Sequence, residues 1–177
     1  MLPNEKREIN ATAASLLGFL ESEPMSGYDL AAQIDGSVGR FWSTTQSQIY
    51  RELGSLAELG YVEAGEAGLR SRTVYSITSA GRAAFAKWID RMPGDVVIRF
   101  PLMLAVFFAD KLPPGRLAEI LRFHRANYEE LIREYERRLP AVERDHPYRA
   151  DTMRFGIEEA RLVVKWIDTV AARTPGE

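Results

Sequence analysis

The sequence predicts a mainly α-helical protein with one small β-hairpin, and three observations predict it. Apolar residues recur at helical spacing along most of the 177-residue chain. Residues 61–78 switch to β-branched and aromatic side chains around a glycine-bearing loop. Pro93 and Gly94 then interrupt the pattern and read as a linker. The expected division is a first domain over residues 1–92 and a second over residues 93–177.

Asn10 has the short side-chain oxygen that satisfies an orphan amide at a helix start, and Ala13, Leu16, Leu17 and Leu20 follow at the spacing of one buried face, closed by Pro24. Ser26 with Asp29 three residues on predicts the cap of a second helix carrying Leu30, Ala31 and Ile34, ended by Gly36 and Gly39. Ser43 and Gln46 repeat that pattern ahead of a third helix, about Thr45 to Leu59, whose inner stripe is Ile49, Leu53, Leu56 and Leu59; Gly60 stops it. YVEAG and TVYSIT read as strands of a hairpin joined by EAGLRSR. Ser79 stands at the cap of a fourth helix with Phe85, Trp88, Ile89 and Met92 on one face. Three helices, a hairpin and a closing helix make the order of a winged helix-turn-helix. Beyond the linker the chain reads as helical only: Leu102 to Ala109, a long helix from Pro113 and Pro114 to about Arg138, a gap punctuated by Pro140 and Pro147, and a last helix from about Tyr148 to Ala172.

Composition excludes several functions. There is no cysteine, which rules out disulfides, thiolate chemistry and cysteine-based zinc sites, and two widely separated histidines give no basis for a metal site, so no cofactor is expected. No Gly-rich phosphate loop, HExxH or GxSxG occurs, which points away from an enzyme. The most apolar run, Ile98 to Ala109, is too short to cross a bilayer, and the opening MLPNEKREIN lacks the features of a signal peptide; a cytoplasmic protein without a membrane partner is expected. The net charge is -2, and residues 1–91 hold nine Lys/Arg against eleven Asp/Glu. Any nucleic-acid face must therefore come from local placement of a few arginines.

That placement can be read on the third helix. With Ile49 inward, 100° per residue puts Thr44, Ser47, Arg51, Ser55 and Glu58 outward, with Gln48 and Tyr50 at the flanks. A helix in the major groove reads base edges with its N-terminal turns, so Thr44, Gln46, Ser47 and Arg51 are the expected base readers and Tyr50 the expected phosphate contact. Arg70 and Arg72 at the hairpin tip are placed to meet an adjacent minor groove or backbone, and Arg40 is a lesser candidate. A polar helix face is ordinarily just solvated; the hairpin that follows is what turns this one toward double-stranded DNA. The competing reading is a winged helix that binds another protein and no operator.

GYDLAAQI, WSTTQSQIYRELGSLAELGYVEAG and TVYSITSAGRAAFAKWI, over residues 13–91, resemble the PadR family of bacterial winged helix regulators. The region from IRFPLMLAVFFADKLPPGRLAEILRFHR to ARLVVKWID is similar to the helical extension of that family's long branch and of virulence-gene activators. Arg51 stands where many members carry proline. The resemblance implies a homodimeric regulator, usually a repressor, on an operator with inverted half-sites, sometimes responsive to a phenolic or hydrophobic compound. It also implies that the wing tip is Gly68 to Arg72 and that Tyr28 lies near the duplex.

In the last helix Met153, Ile157, Ala160, Val164, Ile167 and Ala171 step 4-3-4-3-4, the spacing of an a/d seam, and these six are expected to form the dimer surface. Phe155, Leu162, Trp166 and Val170 lie on another side, where Trp166 is a candidate lining for a ligand cleft. The long helix presents Leu117, Leu121, Tyr128, Leu131 and Tyr135 on one face, with Glu129–Arg133 and Glu134–Arg138 pairs expected on the other.

Overall fold

The computed structural model describes residues 8–65 and 73–173. The chain divides into two compact units, Met1–Gly94 and Asp95–Glu177.

The first unit runs α1 (Ala11–Leu20), β1 (Met25–Ser26), α2 (Gly27–Asp35), α3 (Gln46–Glu58), β2 (Val62–Ala64), β3 (Val74–Ile77) and α4 (Ser79–Ile89). The hairpin strands pair antiparallel with Val62 opposite Ile77. A strand absent from the sequence reading completes the sheet: β1 pairs with β3, Met25 opposite Tyr75, giving the order β1-β3-β2. Two residues are too few for a periodic signal, and Ser26 serves at once as strand residue and as cap of α2.

Asn10 caps α1 by accepting from the Ala13 amide at 2.8 Å, and Ser26 with Asp29 forms the expected capping box. α1 ends at Leu20, ahead of Pro24. Two caps shift by one or two residues. α3 is capped by Thr45 rather than Ser43: its extended backbone (φ -84°, ψ 153°) lets its hydroxyl accept from the Gln48 amide at 3.2 Å, while Gln48 Oε1 accepts from the Thr45 amide at 2.8 Å. α4 is capped by Thr78 rather than Ser79, because the Thr78 hydroxyl also donates to the Gly60 carbonyl at 2.7 Å and so ties the helix to the exit of α3.

Leu16, Leu17, Leu20, Leu30, Ile34, Ile49, Leu53 and Leu56 form the centre of the core, with Phe85 and Trp88 of α4 packed against it. Each fully buried aliphatic contributes roughly 1.5–3 kcal/mol. Ile89 and Met92, expected on the same face, are exposed, since α4 stops at Ile89.

The second unit contains α5 (Pro101–Phe107), a 3₁₀ turn (Ala109–Lys111), α6 (Arg116–Asp145) and α7 (Pro147–Ala171). α6 passes through Pro140 instead of stopping before it. A proline removes one backbone hydrogen bond, while Leu139 and Val142 on either side stay packed against the cluster of Tyr135, Met153 and Ile157. α6 and α7 form an antiparallel hairpin. Arg125 pairs with Asp168 at 2.8 Å, Arg161 with Glu136 at 2.6 Å and Arg154 with Glu143, so partners on one helix descend as those on the other rise. Of the expected pairs along α6, Glu134–Arg138 forms at 3.0 Å, whereas Glu129 meets Arg125 and Arg133 meets Glu130.

The a/d seam of α7 is largely filled from within the chain. Met153 and Ile157 are buried against Tyr135, and Ile167 is buried with Val163 against Leu102 and Leu121. Ala160 is fully buried, Val164 is half-buried, and Ala171 is exposed beyond the packed region. A 4-3 repeat reports a helix partner without saying whose helix it is, and α6 supplies that partner.

Two glycines separate strain from freedom. A Cβ at Gly81 would collide with the Tyr61 carbonyl oxygen and lie 2.9 Å from Ile77 Cγ1, whereas one at Gly54, inside α3, would meet no atom within 4 Å. Gly81→Ala is expected to destabilise the first unit by about 1–3 kcal/mol and Gly54→Ala to stabilise it by about 0.5–1 kcal/mol. Urea unfolding followed by circular dichroism measures both; equal shifts of the same sign would contradict the packing at Gly81.

Candidate nucleic-acid interface

The site begins with the inner side of α3. Ile49, Leu53 and Leu56 are buried and stop the helix from rotating, which leaves Gln46, Ser47, Tyr50 and Arg51 exposed in its first two turns. Thr44, just before the cap, is half-buried, as is Arg40 in the loop between α2 and α3. That loop is held back on the body of the unit: the Trp42 indole N–H donates to Thr12 Oγ1 at 3.3 Å. Gln48, placed at the flank by sequence, is engaged in the cap.

The GY pair has a packing reason. A Cβ at Gly27 would lie 2.5 Å from Tyr50 Cε1, so the Tyr50 ring rests on the bare backbone at the start of α2. The ring is thereby fixed while its residue stays 44% exposed, and Tyr28, adjacent to Gly27, is 52% exposed. Both residues reach the surface. The structure thus brings the start of α2 and the first turns of α3 to one surface, as a helix-turn-helix requires.

Arg51 has an exposed side chain, and Glu52 Oε1 lies 3.9 Å from its Nη2. Sequence reasoning passed over Glu52; only the three-dimensional approach of Asn10 to α3 marks it, through a hydrogen bond from Asn10 Nδ2 to Glu52 Oε2 of 3.1 Å. The wing residues Arg70 and Arg72, with Gly68, lie outside the described residues.

In the second unit the second stripe of α7 divides, with Trp166 and Val170 packed against the cluster of Leu102, Leu121, Val163 and Ile167 and Phe155 and Leu162 at the surface. Phe155 and Leu162 are 62% and 67% exposed. Trp166 is half-buried within the chain, its ring 6.1 Å from that of Phe100, which also meets Tyr128 edge-on at 6.5 Å. Among the described residues no helix is long and apolar enough to cross a membrane.

Gly27→Ala tests the seat of Tyr50. The added methyl is expected to displace the ring and to lower affinity for any duplex that Tyr50 holds through phosphate, without altering base preference. Fluorescence anisotropy with labelled duplexes reads this; unaltered affinity would remove Tyr50 from the interface.

Residues 16–87 match the transcriptional regulator PadR-like family, and residues 98–174 match the virulence activator alpha C-terminal domain. The negative transcriptional regulator PadR of Bacillus subtilis is 24% identical over 174 residues, covering 89% of this chain and 94% of that protein. Among solved structures, Bacillus subtilis PadR in complex with operator DNA superposes with a TM-score of 0.75 at 19% identity, covering 93% of this chain and 98% of that one. The same protein with p-coumaric acid gives 0.67 at 20% identity, over 92% and 98%. The Vibrio cholerae virulence activator AphA gives 0.65 at 26% identity, over 92% and 96%. The chain thus carries a PadR-like domain followed by a virulence activator alpha C-terminal domain, the domains of DNA-binding winged helix transcriptional regulators, which are not enzymes.

Proposed function

We propose that the protein is a homodimeric repressor that binds an operator with inverted half-sites and responds to a small phenolic or hydrophobic ligand. The observation that carries the reading is the exposed first two turns of α3, Gln46, Ser47, Tyr50 and Arg51, on a helix locked by its buried opposite stripe. Gln46, Ser47 and Arg51 supply donors and acceptors for base edges, with Thr44 at their margin; Tyr28, Tyr50, Arg40, Arg70 and Arg72 supply contacts to the backbone.

Dimerisation is assigned to the exposed side of α7. Tyr148, Phe155 and Leu162 stand seven residues apart and are 85%, 62% and 67% exposed, and Met103, Leu104 and Phe107 of α5 are exposed as well. Exposed apolar side chains in such number on one small unit favour an interaction surface. A second copy is the economical partner, because a two-fold dimer presents two recognition helices to two half-sites about one turn of DNA apart. The sign of regulation follows Bacillus subtilis PadR, a negative regulator, and the ligand class follows the p-coumaric acid bound to that protein. Trp166, Phe100 and Tyr128 form the aromatic group nearest in character to such a ligand.

Three outcomes are expected. Arg51→Ala costs about 1–3 kcal/mol on the preferred duplex and relaxes base preference, whereas Arg70→Ala and Arg72→Ala weaken all duplexes and each reduce the salt slope by about one. Gel-shift titrations across salt concentrations separate these, and three variants with wild-type binding would sink the DNA face. Phe155→Glu with Leu162→Glu yields a folded monomer by sedimentation and a loss of operator affinity of several orders of magnitude, since tethering to a second half-site is lost. A dimer that survives both substitutions places the interface elsewhere. In a protein with Trp42→Phe and Trp88→Phe, phenolic acids quench Trp166 fluorescence saturably; a flat titration removes Trp166 from any ligand site.

A further inference from the structure

A carboxylate in the second turn of a DNA-reading helix repels phosphate, yet Glu52 sits there beside Arg51. Its side chain is only 15% exposed, against 70% for Arg51. Glu52 Oε2 accepts from Asn10 Nδ2 at 3.1 Å, and Asn10 Oδ1 accepts from the Ala13 amide at 2.8 Å. The anchor of Glu52 is thus the capped start of α1, a helix whose Ala13, Leu16 and Leu17 are buried in the core. From it, Glu52 Oε1 lies 3.9 Å from Arg51 Nη2, beyond hydrogen-bond distance but well within Coulomb attraction.

We propose that Glu52, held by Asn10, is a positioning residue that orients Arg51 toward base edges and away from phosphate, and so sets how sharply this protein discriminates between DNA sequences. The proposal rests on the reading of Arg51 as a base contact. A free arginine side chain has many rotamers, and that freedom must be lost on binding. A fixed carboxylate at one edge of the guanidinium removes part of that freedom beforehand. The guanidinium has donors on more than one edge, so one edge can face Glu52 while another meets the paired acceptors of a guanine. Moving instead to a phosphate would abandon Glu52, and Glu52 itself repels that phosphate. The carboxylate therefore lowers general affinity and raises specificity.

The test uses the full-length protein and a duplex that it selects from a random pool. Binding to this duplex, to each of its single-base variants and to random duplex is measured for wild type, Arg51→Ala, Glu52→Gln and the double variant. Glutamine keeps the size of Glu52 and an acceptor for Asn10 but no charge. Arg51→Ala should lower discrimination roughly 5- to 150-fold at one or two positions. Glu52→Gln should lower it several-fold at those same positions while tightening binding to random duplex and leaving the thermal midpoint unchanged. A merely structural residue would produce neither the matched positions nor the gain. The double variant should discriminate as Arg51→Ala does. Asn10→Ser, which keeps a capping hydroxyl but is too short to reach Glu52, should reproduce the Glu52→Gln profile. If Arg51→Ala relaxes preference and Glu52→Gln does not, or does so at other positions, the role of Glu52 is refuted and that of Arg51 stands. If Arg51→Ala leaves every preference unaltered, the reading of Arg51 fails and this proposal with it. An Asn10→Ser protein with wild-type preference removes the anchor and overturns the mechanism.

Discussion

Burial of Ile49, Leu53 and Leu56 on one side of α3 governs everything that the first unit presents to its surroundings. Three side chains at spacings of four and three define a single inward direction, and α1 and α2 close over it with Leu16, Leu17, Leu30 and Ile34. Once that direction is set, each outward residue is fixed by its 100° step. A slip of one residue in the packing would turn Arg51 toward the flank and carry a buried leucine into water. The polar surface of α3 is thus a by-product of hydrophobic packing on its other side. The caps refine it: Thr45 and Gln48 set where the helix starts, and Gly27 gives the Tyr50 ring a seat that any side chain would fill.

Much of this was legible in the sequence because it is local or periodic. The core stripe of α3, the cap at Asn10, the capping box at Ser26 and the left-handed stop at Gly60 (φ 69°) are each written in residues a few positions apart. What misled was redundancy or non-local choice. Ser43–Gln46 and Thr45–Gln48 carry the same cap pattern, and only the course of the preceding loop, tied through Trp42 to Thr12, selects the second. Thr78 wins over Ser79 through its bond to Gly60, eighteen residues away. Pro140 reads as a break, but flanking contacts to α7 keep the helix whole. Glu52 was invisible because its partner Asn10 is 42 residues distant.

A DNA-binding protein with a net charge of -2 must handle its acids carefully. In the second unit they are matched locally. Arg125 is held above the ordinary arginine value by its hydrogen bond to Asp168, Arg154 by those to Glu143 and Asp151, and Arg161 by those to Glu158 and Glu136. These groups are exposed, and individually such pairs add little stability. Collectively they fix the register of α6 against α7 and cancel charge within a few ångströms. Little long-range field of either sign then comes from these groups, and attraction to DNA falls to the few cations of the first unit and to geometry.

The two sides of α7 show how geometry can do that work. The seam from Met153 to Ile167 packs largely on α6, with Leu102 of α5 at one end, so the hairpin holds together within one chain. Tyr148, Phe155 and Leu162 recur every seven residues, a spacing that drifts only about 20° per step on a straight helix and leaves one continuous line in solvent. A helix buried on one side and exposed along a straight second line suits the proposed dimer, a bundle formed in two stages, hairpin first and second copy afterwards. In the proposed dimer the affinity for an operator is then shared between weak, mostly local contacts of each winged helix and the gain from tethering two of them. A near-neutral chain can hold a polyanion on those terms, because what it lacks in field strength it recovers from a symmetry fixed by apolar contact.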